Sequence, residues 1–224
     1  MAEKFRITLA QLNPTLGDLT QNATKAREAW AAGKAANADF VALPEMFLTG
    51  YQLQDLAMRP AFLADVADVL KGLAADVADG PALGIGAPMI VDGKRHNCYL
   101  ILQNGEIATQ VLKHHLPIDD VFDEARIFAS GDVSGPYRIG PLRIGSPICE
   151  DAWFDDVTET HAESGAEILF VPNGSPYMRA KQDHRIALMV ARVVETGLPL
   201  IYLNLVGGQD DQVFDGASFA LNRG

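Results

Sequence analysis

Leu142-Arg143-Ile144-Gly145-Ser146-Pro147-Ile148-Cys149-Glu150-Asp151-Ala152-Trp153 is the stretch from which the fold can be read. Its apolar residues Leu142, Ile144, Pro147 and Ile148 run directly into Cys149, and the acidic pair Glu150–Asp151 follows at once. A short apolar run of this kind reads as a buried strand, so Cys149 sits where a strand ends and a turn begins. Strand ends in α/β proteins hold reacting groups, because the sheet fixes the residue and the turn exposes it. Two further runs end the same way: Phe40 to Pro44 delivers Glu45, and Ile107 to Leu112 delivers Lys113. A thiol, a carboxylate and an ammonium, each at a strand end, make a candidate constellation.

Outward from these points, strands and helices alternate. Phe5 to Gln11 reads as a strand, and Asn13 to Asp18 breaks it with turn residues. Ala23, Ala26, Trp30 and Gly33 recur at helical spacing and predict a helix over Thr20–Asn37, capped by Thr20 or Asp18. Leu63, Val66, Leu70, Leu73 and Val77 predict a second helix from Pro60 to Asp79. Leu83–Val91, Asn97–Gln103 and Glu106–Lys113 follow as strands joined at Asp92-Gly93-Lys94 and Asn104-Gly105, the latter a strong hairpin signal. Tyr137–Ile148 carries two short strands split at Gly140-Pro141. Asp155–Ser164 then reads as a helix, Ala166–Pro172 as a strand and Tyr177–Thr196 as a helix. Leu198–Asn204 and Asp215–Leu221 close the chain as strands. The pattern is α/β, with two mixed sheets and outer helices, and residues 1–224 form one domain.

Composition bounds the function. A chain of 224 residues that is 48% hydrophobic can bury one large core. Its net charge of −11 argues against a nucleic-acid partner, which calls for clustered Lys and Arg. Two cysteines, Cys98 and Cys149, with no Cys-x-x-Cys pair argue against a disulfide framework or a Cys-rich zinc site. A reducing, cytoplasmic setting is expected. The opening residues lack the apolar core of a signal peptide, and no apolar run approaches the ~18 residues of a membrane span. Gly84-Ile85-Gly86 lacks the third glycine of a dinucleotide loop. His114 and His115, read as strand neighbours, point to opposite faces, so no metal site is expected. Cys98, inside an apolar strand, is read as a packed thiol.

Cysteine attacks as the thiolate and so needs a base or a cation beside it. His161 and His184 lie on helical segments without catalytic context. A buried carboxylate can replace imidazole as base, and a lysine can meet the charge of a developing oxyanion. Glu45, Lys113 and Cys149 together therefore suit acyl transfer. Taken singly, each is equally well a packed thiol or a solvated charge at an unrelated turn. On residue pattern alone the two readings balance.

A resemblance tips that balance. Leu43-Pro44-Glu45-Met46-Phe47-Leu48-Thr49-Gly50-Tyr51, Lys113-His114-His115-Leu116-Pro117 and Ile148-Cys149-Glu150-Asp151-Ala152-Trp153 resemble, in that order, motifs of the nitrilase or carbon–nitrogen hydrolase superfamily. The resemblance runs over the whole chain. Within the superfamily, Cys149–Trp153, Val121–Phe128 and Pro172-Asn173-Gly174-Ser175-Pro176-Tyr177 are similar to the glutaminase domain of glutamine-dependent NAD+ synthetases. The resemblance implies a nitrilase-like α-β-β-α sandwich and a catalytic triad of Glu45 as base, Lys113 and Cys149. The oxyanion would be met by Lys113 and the backbone amide of Glu150, with Glu124 as a supporting second glutamate. Tyr51, Asp119, Glu150, Ser175 and Lys181 fall where such domains contact L-glutamine, although Lys181 is equally read as a solvated helix lysine.

The same resemblance implies no cofactor in this chain. ATP and magnesium belong to a synthetase domain that takes the ammonia and amidates an adenylated nicotinic acid adenine dinucleotide. No SGGxDS-like phosphate loop occurs in these residues, so that domain is expected to be absent from the chain. Asn222-Arg223-Gly224 reads as a hairpin turn just entered, and the hydrolase domain is expected to be truncated at its C-terminus. Homo-oligomers are common in the superfamily, and one is expected here. One departure stands out: where such domains often carry Asn-Tyr-Gly, this chain has Ile118-Asp119-Asp120, putting Asp119 in place of a pocket tyrosine. Two alternatives stay open. A stand-alone amidase or N-carbamoyl amidohydrolase is disfavoured by the residues after Cys149, and a catalytically silent assembly domain is disfavoured by the intact triad.

Overall fold

The computed structural model describes residues 4–118 and 122–223. Its strands in chain order are β1 (Ile7–Leu9), β2 (Phe40–Ala42), β3 (Ala82–Val91), β4 (Lys94–Gln103), β5 (Glu106–Leu112), β6 (Tyr137–Ile139), β7 (Leu142–Gly145), β8 (Ile168–Asn173), β9 (Leu200–Asn204), β10 (Val206–Gln209), β11 (Gln212–Asp215) and β12 (Phe219–Leu221). The helices are α1 (Leu19–Ala35), α2 (Pro60–Asp76), α3 (Glu124–Ile127), α4 (Asp155–Glu163) and α5 (Lys181–Thr196). Strands β1 to β5 form one five-stranded sheet in sequence order. The second has the order β12-β9-β8-β7-β6, and β10 and β11 make a separate ribbon. Both large sheets are mixed: β1, β2 and β3 run parallel, as do β7, β8 and β9, with antiparallel strands beside them.

Side-chain alternation explains how the layers stack. Along β2, Phe40 and Ala42 face one way and Val41 and Leu43 the other. Val41 and Leu43 join Ala26, Val66, Leu70 and Leu73 in a core between the first sheet and helices α1 and α2. Phe40 and Ala42 meet Tyr99, Ile144, Phe170 and Leu203 in a core between the two sheets. On the far side of the second sheet, Leu169, Val171 and Tyr202 pack against Met189 and Val193 of α5. The result is the expected α-β-β-α sandwich. Strands buried on both faces read as continuous apolar runs, and that is why Phe40–Pro44 and Ala166–Pro172 are visible in the sequence.

Local rules set the boundaries. Asp18 caps α1, its carboxylate accepting from the Gln21 N–H at 2.9 Å. Asn104 and Gly105 both take positive φ, 54° and 86°, as the tight turn between β4 and β5 requires. Three expectations shift. Helix α5 begins at Lys181 and not at Tyr177, because Ala180 at φ 63° breaks the helical run. The predicted strand Asp215–Leu221 is interrupted at Gly216 and Ala217, both with positive φ, leaving β12 as its second half. The β10–β11 ribbon was not predicted: Val206-Gly207-Gly208-Gln209 carries little apolar pattern, and its Asp210-Asp211 turn lacks glycine.

Candidate active site

Glu45 follows β2 and crosses close over β3. A Cβ at Gly86 would lie 2.1 Å from the Met46 nitrogen and 2.6 Å from the Glu45 carbonyl carbon, so only glycine admits this approach. The Glu45 side chain is fully buried and fully bonded. Its Oε1 accepts from Lys113 Nζ at 2.7 Å and Asn97 Nδ2 at 2.8 Å, and its Oε2 accepts from the Gly174 N–H at 2.8 Å.

Lys113 ends the β5 run, where its backbone N–H still pairs with the Asn97 carbonyl at 2.9 Å. Its ammonium lies between two carboxylates, Glu45 at 2.7 Å and Glu124 at 2.8 Å, with no side-chain exposure. Burial works against that charge, but Glu124, Glu45 and Cys149 more than offset it, and the Lys113 pKa lies well above its ordinary value. Glu124, the first residue of α3, also accepts from the Tyr51 hydroxyl at 2.8 Å and from Asn97 Nδ2 at 3.2 Å. Burial raises its pKa and the negative Glu45 adds to the effect, against the opposing pull of Lys113.

Cys149 opens a tight turn, Cys149–Trp153, after β7 and the extended residues 146–148. Its φ of 48° is a left-handed conformation that a non-glycine residue adopts only when its surroundings enforce it. Burial pushes its thiol well up, Glu45 pushes in the same direction and Lys113 pulls back. Cys149 thus lies within electrostatic reach of the Glu45–Lys113–Glu124 cluster. Cys98, by contrast, is wholly buried in β4, its pKa pushed up to about 12 by burial, and it packs among apolar neighbours as expected.

Cys149 lines a cavity of about 520 Å³, together with Glu150, Trp153, Ser175 and Lys181. Glu150 is half-buried and its pKa is raised by burial, while Lys113 and Lys181 act on it with the opposite sign. Ser175 is fixed rather than free. Its hydroxyl accepts from Arg185 Nε at 3.2 Å and Nη2 at 3.1 Å, and its carbonyl accepts from Arg185 Nη2 and Asn204 Nδ2, both at 2.9 Å. Arg185 in turn pairs with Asp215 at 2.9 Å.

Glu45, Lys113, Cys149 and Glu124 are therefore brought together, and Glu150, Ser175 and Lys181 share one cavity with Cys149. Tyr51 differs from expectation. It lies behind the carboxylates with its hydroxyl on Glu124, its ring stacked on Phe122 at 6.0 Å, and it is not among the cavity's lining residues. Asp119 lies outside the described residues.

Three residues of this site were not singled out from the sequence. Asn97 bonds both buried carboxylates, and its only signal was a polar residue at the mouth of an apolar strand. Arg185 holds the Ser175 turn, and nothing in the sequence distinguishes it from a solvated helix arginine. Asp151 was read only as half of an acidic pair. It is 1% exposed, and its carboxylate accepts from the N–H groups of His114 at 3.0 Å, His115 at 2.6 Å and Ile148 at 3.0 Å.

The two histidines also depart from the sequence argument. The strand ends at Leu112, so His114 and His115 do not alternate across a sheet. Their rings meet edge to face with centroids 4.7 Å apart. One potential ligand atom from each, with one from Asp156, lie within 4.8 Å of one another. These groups already have protein partners: His115 Nε2 is 2.9 Å from Asp156 Oδ1, and His114 Nδ1 is 2.7 Å from the Gly131 carbonyl.

Comparison with known proteins gives the family. A glutamine-dependent NAD(+) synthetase of Rhodobacter capsulatus is 61% identical over 222 residues, covering 99% of this chain and 40% of the relative. One from Xanthomonas campestris pv. campestris is 38% identical over 221 residues, covering 97% and 40%. The chain thus spans about two fifths of the length of these relatives. The structure of a glutamine-dependent NAD+ synthetase from Acinetobacter baumannii, in complex with ADP, superposes with a TM-score of 0.90 at 30% identity, covering 98% of this chain and 41% of that one. An amidase from Nesterenkonia sp. shares the fold, with a TM-score of 0.85 at 24% identity over 100% of this chain and 84% of its own. Residues 6–222 match the carbon-nitrogen hydrolase family, and to that family the chain belongs.

Proposed function

We propose that this chain hydrolyses the side-chain amide of L-glutamine through a cysteine thioester and yields ammonia for ATP-dependent NAD+ synthesis. The observation that carries the reading is the buried Glu45–Lys113–Glu124 cluster set against Cys149 at a cavity holding both an acidic and a basic residue. A zwitterionic substrate calls for both signs of charge, and Glu150 and Lys181 supply them. The likeness to glutamine-dependent NAD+ synthetases supports glutamine as that substrate.

In this mechanism Glu45 takes the proton of Cys149 as the sulfur attacks the amide carbon. Lys113 and the backbone N–H of Glu150 bind the tetrahedral oxyanion. Glu45 returns the proton to the leaving nitrogen, and ammonia departs. A water deprotonated by Glu45 then attacks the thioester, and as glutamate leaves Glu45 returns that proton to the sulfur and restores the thiol. Every proton has a named carrier, and no step calls on a metal or an organic cofactor. Asn97 and Glu124 hold Glu45 and Lys113 in place throughout.

The ammonia goes, in this reading, to a synthetase domain outside these residues, where ATP and magnesium act. A cytoplasmic setting agrees with two unpaired cysteines, and no helix among the described residues is long and apolar enough to cross a membrane. Ile186, Val190 and Val194 form an exposed apolar row at four-residue spacing along α5, which supports a homo-oligomer.

The deciding experiment is ammonia release from L-glutamine by the chain and by Cys149→Ala. Release by the parent alone is expected. No release by the parent, even with a synthetase domain of a Rhodobacter-type relative added in trans, overturns the glutaminase reading.

A further inference from the structure

The site draws Glu45 and Lys113 from the first sheet and Cys149 from the second. Apolar contact between the sheets is non-directional and does not by itself fix how a nucleophile meets its base. Polar ties across the interface do. Among those near Cys149 are the Gly174 N–H on Glu45 and the Asp151 carboxylate. We infer that Asp151 is a positioning residue for the reaction: one carboxylate oxygen closes the turn around Cys149, and the other fixes that turn to the residues following Lys113.

The geometry separates the two arms. Oδ2 accepts from the Ile148 N–H at 3.0 Å while the Asp151 N–H donates to the Ile148 carbonyl at 3.0 Å, so a reciprocal pair of bonds encloses Cys149. That pair holds the nucleophile's backbone at its φ of 48°. Oδ1 accepts from His114 and His115, the two residues after Lys113. Residues 114, 115 and 148 lie outside helix and strand, so their N–H groups have no ladder partner and the carboxylate takes that place. The task needs a group that only accepts. An asparagine of the same shape has one oxygen and one NH2, and the NH2 must face an N–H on one arm or the other. Asp151→Asn therefore breaks one arm while keeping the volume.

The inference rests on the cysteine-hydrolase reading of the site. The test uses the 224-residue chain, with Asp151→Asn and Asp151→Ala beside Asp155→Asn, an exposed neighbour on α4, as control. Thermal unfolding, kcat and KM for glutamine, and the rate of Cys149 alkylation by iodoacetamide are read. For folded Asp151→Asn, kcat is expected to fall roughly 100-fold at nearly unchanged KM, with alkylation slowed in parallel. A folded variant with parental kcat and alkylation rate, or one altered only in KM, overturns it. If neither variant folds, amide exchange on the parent decides: the amides of residues 114, 115 and 148 should exchange as slowly as those of β8, and exchange at open-loop rates overturns the inference. Should the parent release no ammonia from glutamine, the substrate reading fails, while the alkylation comparison still tests Asp151.

Discussion

At the scale of single residues, the centre of this molecule is a cation between two anions, all three buried. Lys113 has no side-chain exposure, and its partners Glu45 and Glu124 have at most 4%. Removing one partner of such a group leaves buried charge uncompensated, which typically costs about 3–5 kcal/mol. Lys113→Ala is therefore expected to lower unfolding stability in urea by roughly that amount, and to abolish ammonia release as well. A variant of parental stability would show that the carboxylates find another partner. Cysteine reactivity gives a second expectation. Cys98 is sealed in a strand, whereas Cys149 faces a cavity, so iodoacetamide should modify one thiol per native chain and none in Cys149→Ala. The grouping of Glu45, Lys113 and Cys149 was legible because each closes an apolar run. Asn97 and Asp151 were not, since a buried polar residue announces itself only through its partners, and those lie 52 and 27 residues away for Asn97 and, apart from Ile148, 37 and 36 for Asp151.

At the scale of elements, α4 and β7 show how a helix and a strand fit. His161 of α4 stands over Gly145 of β7, where a Cβ would come within 2.7 Å of the imidazole Cγ. The ring is 1% exposed, and burial lowers its pKa to about 4. The unfolded chain binds this proton near the ordinary pKa of about 6.5 and the folded chain only near 4. Between these values the unfolded state holds more protons, so stability rises with pH. The neutral ring's contribution is complete above the unfolded pKa and is lost as pH falls toward 4. Between pH 7 and pH 5 the loss from this group is about 2 kcal/mol. His161→Phe, which keeps a ring in place, should show a correspondingly shallower fall in urea stability over that range. An unchanged slope would mean the proton is accommodated in the fold. Elements were legible wherever both faces of a strand are buried. The β10–β11 ribbon was not, because Gly207 and Gly208 carry no side chain to pattern and Asp210-Asp211 makes an unremarkable turn.

At the scale of the whole molecule, two sheets that could each be drawn from the sequence become a catalyst only where they meet. The expected α-β-β-α sandwich follows from alternation along β2, β4 and β8, but the join between the sheets depends on contacts that no periodicity encodes. Gly174 makes one of them. Its N–H donates to Glu45 at 2.8 Å, and a Cβ there would stand 2.4 Å from the Tyr51 ring, whose hydroxyl holds Glu124. Adding one methyl group forces the loop after β8 away from the first sheet. Overpacking of this kind costs about 1–3 kcal/mol, and the displacement also loosens Glu45 and Glu124. Gly72, exposed within α2, offers the opposite case, since a Cβ there meets nothing within 4 Å. Gly72→Ala should stabilise the chain by about 0.5–1 kcal/mol, as alanine does in a helix interior, and leave ammonia release unchanged. Gly174→Ala should lower the urea midpoint and kcat together. Equal midpoints for the two variants would mean that the sheets can part by a methyl group without strain, and that the distance between Glu45 and Cys149 is held by other contacts.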